Sequence, residues 1–161
     1  MPNKFFQFII VLVLASLLFV SAYFSLHLSN FLISVSVIGM SLLPLITSLI
    51  LKLDLKKEIP DIIFGAIDTG LLTIPALIGG SMFGVVGAII GGVVGDSVTD
   101  GIAGFFEGAI AEWLRNKGIE ESREALTSSL GKMTGCLMGA GVVLLFSVII
   151  GIDVKNIFIV A

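Results

Sequence analysis

Charged residues are scarce in this chain of 161 residues. Only 13% are charged and 57% are hydrophobic, with a mean hydropathy of +1.14, whereas an ordinary soluble domain carries about 25% charged residues. Such low polarity excludes a water-soluble globular domain and a disordered tail. The 19 glycines follow no three-residue period, which excludes a collagen-like rod. We therefore expect an integral membrane protein, whose partner is the lipid bilayer.

Cysteine is nearly absent, since Cys136 is the single one. It cannot form an internal disulfide, and no group of cysteine and histidine residues has the spacing of a zinc site. The net charge is -3 and the pI is near 5.0, whereas nucleic-acid-binding domains are typically basic, so nucleic acid is not an expected partner. No phosphate-binding loop or nucleophile triad is recognisable. The sequence therefore predicts no enzyme, no cofactor and no nucleic-acid partner.

The longest segment without any Lys, Arg, Asp or Glu runs from 5 to 51. Its 47 residues would extend about 70 Å as one helix, more than twice the roughly 30 Å thickness of the hydrocarbon core. We therefore predict two spans, at about 5–26 and 31–51, with a turn at 27–30 and a kink at Pro44. A cleaved signal peptide is the alternative for the first span, but its apolar run exceeds the usual length of about 7 to 15 residues.

The remaining chain is long enough for three more spans. They are predicted at about 61–78, 83–113 and 133–152, with Gly79-Gly80-Ser81 between the first two and a polar segment at 115–132. The predicted fold class is therefore all-α: a polytopic membrane helical bundle of about five transmembrane helices, forming a single membrane domain over residues 1–161.

Lysine and arginine fall almost entirely on one side of these predicted spans. Eight of the nine lie before the first span, in the 52–60 loop or in the 115–132 segment, and only Lys155 lies on the other side. Basic residues accumulate in cytoplasmic segments of membrane proteins. The distribution therefore predicts a cytoplasmic N-terminus, a cytoplasmic 115–132 segment and an exterior or lumenal C-terminus.

The third and fourth predicted spans carry acids but no Lys, Arg or His. Six acids lie there: Asp61, Asp68, Asp96, Asp100, Glu107 and Glu112. A charged side chain at the bilayer centre costs about 2.5 to 3.5 kcal/mol even on lenient scales, so such residues usually line a site or pathway. Asp61 and Glu112 are better explained as solvated charges at the interface, and Asp61 also as a helix N-cap after Pro60.

The other four acids have a spacing that favours a metal site. At 100° per residue, Asp96, Asp100 and Glu107 lie within about 40° of one another on one helix face. Carboxylate oxygens suit hard or borderline divalent cations, and close carboxylates bind protons when the ion is absent. We therefore predict that divalent cations bind at a site formed by Asp68, Asp96, Asp100 and Glu107, in exchange for protons.

Glycines in the fourth predicted span and just before it form a ridge along one helix face. They recur at intervals of three or four residues, at Gly80, Gly84, Gly87, Gly91 and Gly95. Such a ridge permits close packing of membrane helices. On a continuous helix it would lie opposite the acids. The ridge therefore suggests the alternative function, a non-transporting membrane assembly or scaffold protein that binds partner helices.

The segment 61–73, DIIFGAIDTGLLT, resembles the opening helix of vacuolar iron transporter-like proteins, which carries a pattern close to D-x-V-F-G-A-x-D-G. Thr69 stands between the second Asp and the Gly here. The segment 100–108, DGIAGFFEG, is similar to that family's second helix, although the Met and Tyr of its usual S-M-x-x-G-E-Y pattern are missing. The resemblance implies that Asp68 is a transport-site carboxylate and that Glu107 is its partner.

This resemblance covers roughly residues 60–125 and implies transport of iron-like or manganese-like cations. The first two spans precede the motif here, whereas the family begins with it. The first hypothesis is therefore a small five-span transporter or exchanger of divalent metal. It is expected to be a homo-oligomer, because five short spans rarely enclose a pathway alone. A third hypothesis is an intramembrane aspartyl protease, for which the signatures around Asp68 and Asp96 are incomplete.

Overall fold

The structure is a computed structural model, and it describes residues 3–116 and 124–152. The described residues form five α-helices and no β-strand: α1 (Lys4–Ser25), α2 (Asn30–Met40), α3 (Leu42–Ile50), α4 (Leu55–Asn116) and α5 (Ala125–Ile149). Among them, four helices are long and apolar enough to cross a membrane, when α2 and α3 are taken together as one. The described chain is thus all-α, as predicted, and compatible with an integral membrane protein.

A turn at Ser41 separates α2 from α3. Pro44 accounts for this interruption, because proline has no backbone N–H and its ring crowds the carbonyl group four residues earlier, that of Met40. The hydroxyl of Ser41 donates a hydrogen bond of 2.6 Å to the carbonyl oxygen of Ile38. The second apolar segment therefore bends at Ser41, three residues before its only proline.

The long helix α4 is broken into two arms. The backbone angles of Phe83 (φ -133°, ψ 15°) and Gly84 (φ 62°, ψ -146°) are not helical. We call residues 55–82 the outgoing arm and residues 85–116 the returning arm. The predicted connection at 79–81 lies within the helical part of the outgoing arm. The break occurs later because Gly84 adopts a backbone conformation with positive φ that glycine tolerates best.

The two arms of α4 lie antiparallel and in backbone contact. A Cβ atom built on Gly87 would collide with the carbonyl oxygen of Gly79, and one built on Gly91 with that of Pro75. A Cβ atom built on Gly95 would lie 2.6 Å from Cγ of Pro75 and 3.1 Å from Cα of Leu72. Later residues of the returning arm thus meet earlier residues of the outgoing arm, which defines a helical hairpin.

Replacing Gly84 with Ala should destabilise this hairpin by about 1 to 3 kcal/mol, because an L residue is strained at that backbone conformation. The measurement is thermal unfolding of the purified protein in detergent, followed by circular dichroism. Gly92→Ala is the matched control, since its Cβ would make only an ordinary contact, 3.7 Å from Cβ of Ala76. Equal loss of stability in both variants would contradict the assignment of the reversal to Gly84.

Helix α5 runs parallel to the outgoing arm and contacts it through glycines. Three glycines at four-residue intervals face residues at the same interval on the arm: Gly131 faces Glu58, Gly135 faces Ile62 and Gly139 faces Ala66. A side chain at these positions would collide with the neighbouring helix. The absence of side chains therefore allows the two backbones to approach closely. Both helices begin at the same end of the bundle.

Helices α2 and α3 contact α5 in the opposite direction. Ile38 of α2 lies against Gly141 of α5, whereas Leu51, just after α3, lines a surface depression together with Leu126. Leu14 of α1 joins this end of the bundle by packing into a buried cluster with Leu126 and Leu130. The starts of α1, α4 and α5 therefore lie at one end of the molecule, with the end of α3.

Large apolar side chains face outward, and many interior side chains are small or carry hydroxyl groups. Phe19 is 79% exposed and Phe105 is 73% exposed. Ser34, Thr134 and Ser147 are buried, and each hydroxyl donates a hydrogen bond to a carbonyl of its own helix. Soluble proteins bury their large apolar residues instead. The observed distribution fits helices that face lipid and approach each other through small residues.

Candidate metal site

Three of the predicted metal ligands meet between the arms of α4. Asp68 lies on the outgoing arm, and Asp96 and Asp100 lie on the returning arm. One carboxylate oxygen from each residue lies within 4.8 Å of the corresponding oxygens of the other two. A divalent ion with oxygen ligands at about 2.3 to 2.6 Å separates those ligands by no more than about 5 Å. The spacing is therefore short enough for one ion to contact all three acids.

The register of the hairpin brings these acids together. Gly95 of the returning arm lies against Leu72 of the outgoing arm. The arms are antiparallel, so a residue four positions before Leu72 lies at the same level as a residue four positions after Gly95. Asp68 therefore lies opposite Thr99, between the levels of Asp96 and Asp100. A shift of one helical turn in the register would place Asp68 level with about residue 95 or residue 103, and so move it away from one of these two acids.

The three acids differ in their exposure. Asp68 is partly buried, whereas Asp96 and Asp100 are exposed. The Oδ1 atom of Asp68 is buried and has no hydrogen-bond partner among the residues that the structure describes. A buried carboxylate oxygen without a partner is unfavourable. A bound cation or proton would satisfy it, and the exposed acids leave room for further ligands of the ion.

The hairpin has no Lys, Arg or His from 58 to 114 that could offset the charge of these acids. Lys132 reaches the outgoing arm from α5, but its Nζ atom lies 5.3 Å from the centre of the Phe64 ring. Phe64 precedes Asp68 by one helical turn. The hairpin therefore concentrates negative charge between apolar surfaces, and a cation would bind there favourably.

Hydroxyl groups lie beside the acids on the returning arm. Ser97 donates a hydrogen bond of 2.9 Å to the carbonyl oxygen of Val93, and Thr99 donates one of 3.1 Å to that of Asp96. A hydroxyl group that donates still has lone pairs for a metal ion. Thr99, at the level of Asp68, is therefore a suitable additional oxygen ligand.

Glu107 was predicted as the fourth ligand. It lies in α4 seven residues after Asp100, about 10 Å further along the helix axis, but its side chain lies outside the described part of the structure. Its role as a ligand therefore stays a prediction. Glu112 is exposed, in keeping with its interpretation as a solvated charge.

The prediction that Asp61 caps a helix is wrong. Helix α4 begins six residues earlier, at Leu55, and Oδ1 of Asp54 accepts a hydrogen bond of 3.1 Å from the backbone N–H of Lys56. The prediction that Asp61 is a solvated charge is wrong too, because Asp61 is only 6% exposed and its Cβ atom faces Gly131 of α5. The proline before Asp61 was misleading, because it lies within the helix instead of marking its start.

The expected separation of the glycine ridge from the acids applies only to a continuous helix, whereas α4 is broken at Phe83 and Gly84. Gly87, Gly91 and Gly95 lie against the outgoing arm, and Asp96 and Asp100 approach Asp68 of that same arm. The chain reversal at Gly84 explains this, because it makes the outgoing arm the neighbour of both features. These glycines are therefore already covered within the chain. A scaffold that binds partner helices would need another surface.

Two features of the structure were missed in the sequence. The sequence predicts Glu58 in the polar loop 52–60, but it is fully buried. The glycines of α5 that contact the outgoing arm were not recognised, although their regular four-residue spacing at Gly131, Gly135 and Gly139 was visible. The spacing signals close helix packing, whereas nothing in the local sequence indicates the burial of Glu58.

The assignment of a function to this hairpin depends on its own residues and geometry. No protein-family model matches the sequence, and comparison with curated proteins and with solved structures finds no match either.

Proposed function

We propose that the protein is a small integral membrane transporter or exchanger of divalent metal cations, with Asp68, Asp96 and Asp100 as its ion site. The observation that carries this proposal is the convergence of three carboxylates from two apolar arms, with oxygen atoms within 4.8 Å of one another. Uncompensated acids are costly in a membrane and are usually functional. A bound cation offsets their mutual repulsion.

The charge of the site suggests how ion release is coupled to protons. Three carboxylates and one divalent cation leave a net charge of -1, and departure of the cation leaves -3. Protonation of the carboxyl groups reduces this repulsion. Protons therefore replace the ion as it leaves. Iron-like and manganese-like cations are the proposed cargo, in line with the resemblance of residues 60–125 to vacuolar iron transporter-like proteins.

The proposed topology has five crossings, with α1 first, α2 and α3 as the second, the two arms of α4 as the third and fourth, and α5 as the fifth. Lys52, Lys57 and Glu124 line one surface depression, so the start of α5 and the loop before α4 lie at the same end of the bundle. This is the end with most of the basic residues. We assign it to the cytoplasm, with the C-terminus on the exterior side.

The proposed transporter is a homo-oligomer. Asp96 and Asp100 are exposed on the returning arm, where a bilayer would leave them next to lipid. A second copy of the chain against this arm would shield both acids. It would also supply oxygen ligands beyond the three from one chain, since hard cations such as Ca²⁺ take about six to eight.

An aspartyl protease would use two of the three acids. Asp68 and Asp96 are close enough to form a carboxyl pair, which is the group that such an enzyme requires. The third acid, Asp100, has no part in that chemistry. The convergence of all three therefore favours an ion site over a protease.

The test is ion flux in proteoliposomes that contain the full chain, with a metal-sensitive dye inside and Mn²⁺, Fe²⁺, Co²⁺, Zn²⁺, Ca²⁺ or Mg²⁺ added outside in turn. We expect flux of at least one of these ions above that of protein-free liposomes, together with proton movement in the opposite direction. Absence of flux for every ion, from protein with native helix content, would reject the transport proposal and favour a scaffold.

A further inference from the structure

A second carboxyl group lies in an unusual environment at the start of the outgoing arm. Glu58 lies in the first turn of α4 and is 0% exposed. Neither of its carboxylate oxygens has a hydrogen-bond partner among the described residues. Ten residues separate Glu58 from Asp68, which is about 15 Å along the helix. Glu58 is therefore not part of the ion site.

The surroundings of Glu58 contain another unsatisfied polar group. Ser48, in the last turn of α3, provides a neighbouring hydroxyl group. Ser48 is 0% exposed, and its Oγ atom also lacks a hydrogen-bond partner within the described chain. From α5, Gly131 faces the backbone and the Cβ atom of Glu58. Three helices thus enclose two polar side chains without completing a hydrogen bond to either.

The charged groups around this junction do not neutralise a carboxylate. Asp61, which follows Glu58 by one helical turn, is 6% exposed and adds negative charge. Helix α3 contains no charged residue. On α5, Lys132 follows Gly131, but its Nζ atom lies over the ring of Phe64.

Other charged groups lie at the edge of this end of the bundle. Lys52, Asp54, Lys57 and Glu124 line the surface depression between the loop before α4 and the start of α5. These positive and negative side chains face solvent. Among the residues that the structure describes, they leave the enclosed carboxyl of Glu58 without a counterion.

A proton on Glu58 would remove the uncompensated charge and would supply a hydrogen-bond donor at the junction. The hydroxyl of Ser48 is a neighbouring donor that can offset part of the cost of burying an ionised carboxylate, but burial outweighs it, and the neighbouring carboxyl of Asp61 increases the cost. A protonated Glu58 is neutral, and its O–H can donate to Oγ of Ser48. We propose that Glu58, with Ser48 and Asp61 beside it, is a proton-binding site that is separate from the ion site and holds a proton while α3, α4 and α5 are packed together.

The location of the site indicates which pH it responds to. Glu58 lies at the end of the bundle that carries the charged side chains of Lys52, Asp54 and Lys57. On the proposed topology this end faces the cytoplasm, so the site would bind and release protons on the cytoplasmic side. Proton binding itself depends only on the junction and does not require the protein to transport metal. Failure of the flux assay would therefore leave this proposal to be decided by its own measurement.

The measurement is infrared difference spectroscopy of the full-length protein in lipid nanodiscs, without metal, between pH 5 and pH 10. The spectrum of wild type minus that of Glu58→Gln isolates one carboxyl group. We expect a carboxylic-acid C=O band in this difference at pH 7. Glu112→Gln is the matched control, since Glu112 is exposed, and its difference spectrum should show carboxylate bands at the same pH. Carboxylate bands for Glu58 at pH 7 would overturn the proposal.

A second variant tests the site without altering Glu58. Asp61→Asn removes the neighbouring negative charge, so the carboxylic-acid band should disappear at lower pH than in the wild type. This comparison also decides the question if Glu58→Gln fails to fold. An unchanged pH course in Asp61→Asn would overturn the assignment of the proton to this junction.

Discussion

Replacing Asp100 with Asn should reduce divalent metal flux in proteoliposomes by about 100-fold or more. The amide keeps the shape of the side chain and removes its charge. Two unit charges about 4 Å apart interact by about 4 kcal/mol at an effective dielectric constant near 20, and a 100-fold loss corresponds to about 2.8 kcal/mol. The position of Asp100 in the three-acid cluster therefore predicts a large effect on ion affinity. The measurement is the initial rate of dye quenching as a function of metal concentration.

The control for this experiment is Glu112→Gln, which removes one negative charge from an exposed position on the same arm. Its flux should stay within about twofold of the wild type, because exposed charges are screened over distances beyond about 8 Å at physiological salt. Loss of flux in both variants would indicate a general effect of negative charge instead of a local ion site. Full flux in Asp100→Asn would reject the three-acid site. A protease that uses only Asp68 and Asp96 would keep its activity.

Replacing Gly135 with Ala should destabilise the bundle by about 1 to 3 kcal/mol, which is the usual cost of placing extra atoms in a well-packed interface. The added Cβ would collide with the carbonyl oxygen of Ile62 and lie 2.9 Å from the backbone nitrogen of Ala66. Backbone atoms cannot move aside without separating α5 from the outgoing arm. Thermal unfolding in detergent should therefore occur at a lower temperature than in the wild type.

Gly101→Ala is the matched control for this variant. Gly101 is also helical, but a Cβ atom built on it meets nothing within 4 Å. Alanine is favoured over glycine in a helix by about 1 kcal/mol, so this variant should be as stable as the wild type or more stable. A loss of stability in Gly101→Ala equal to that in Gly135→Ala would show that the two sites are equally packed, contrary to the structure.

The positions of the first two apolar segments could be predicted closely. The span predicted at 5–26 corresponds to Lys4–Ser25, and the span predicted at 31–51 corresponds to Asn30–Ile50. Local sequence is sufficient here, because an apolar segment in lipid must satisfy its backbone hydrogen bonds within a helix. The sequence places the start of this helix too late, at Asp61, because Pro60 suggests a helix boundary, whereas α4 begins at Leu55 and contains Pro60 in its interior.

The position of the chain reversal could not be predicted with the same precision. Several glycines lie close together in this region, and any of them tolerates a positive φ. The prediction placed the connection at 79–81, whereas the break is at Phe83 and Gly84. Packing decides between these sites, because Gly79 is needed as a helical residue in contact with Gly87. A local pattern does not show which glycine has such a contact.

The composition and spacing of residues along this chain determined that it forms apolar helices and that Asp96 and Asp100 share a helix face. These properties follow from helical periodicity and from the low charge of the segments, so they require no knowledge of neighbouring helices. The tertiary structure decided that Asp68 joins those acids and that Glu58 is enclosed. Both depend on the register of the hairpin and on the position of α5, which are set by backbone contacts between glycines and residues distant in the chain.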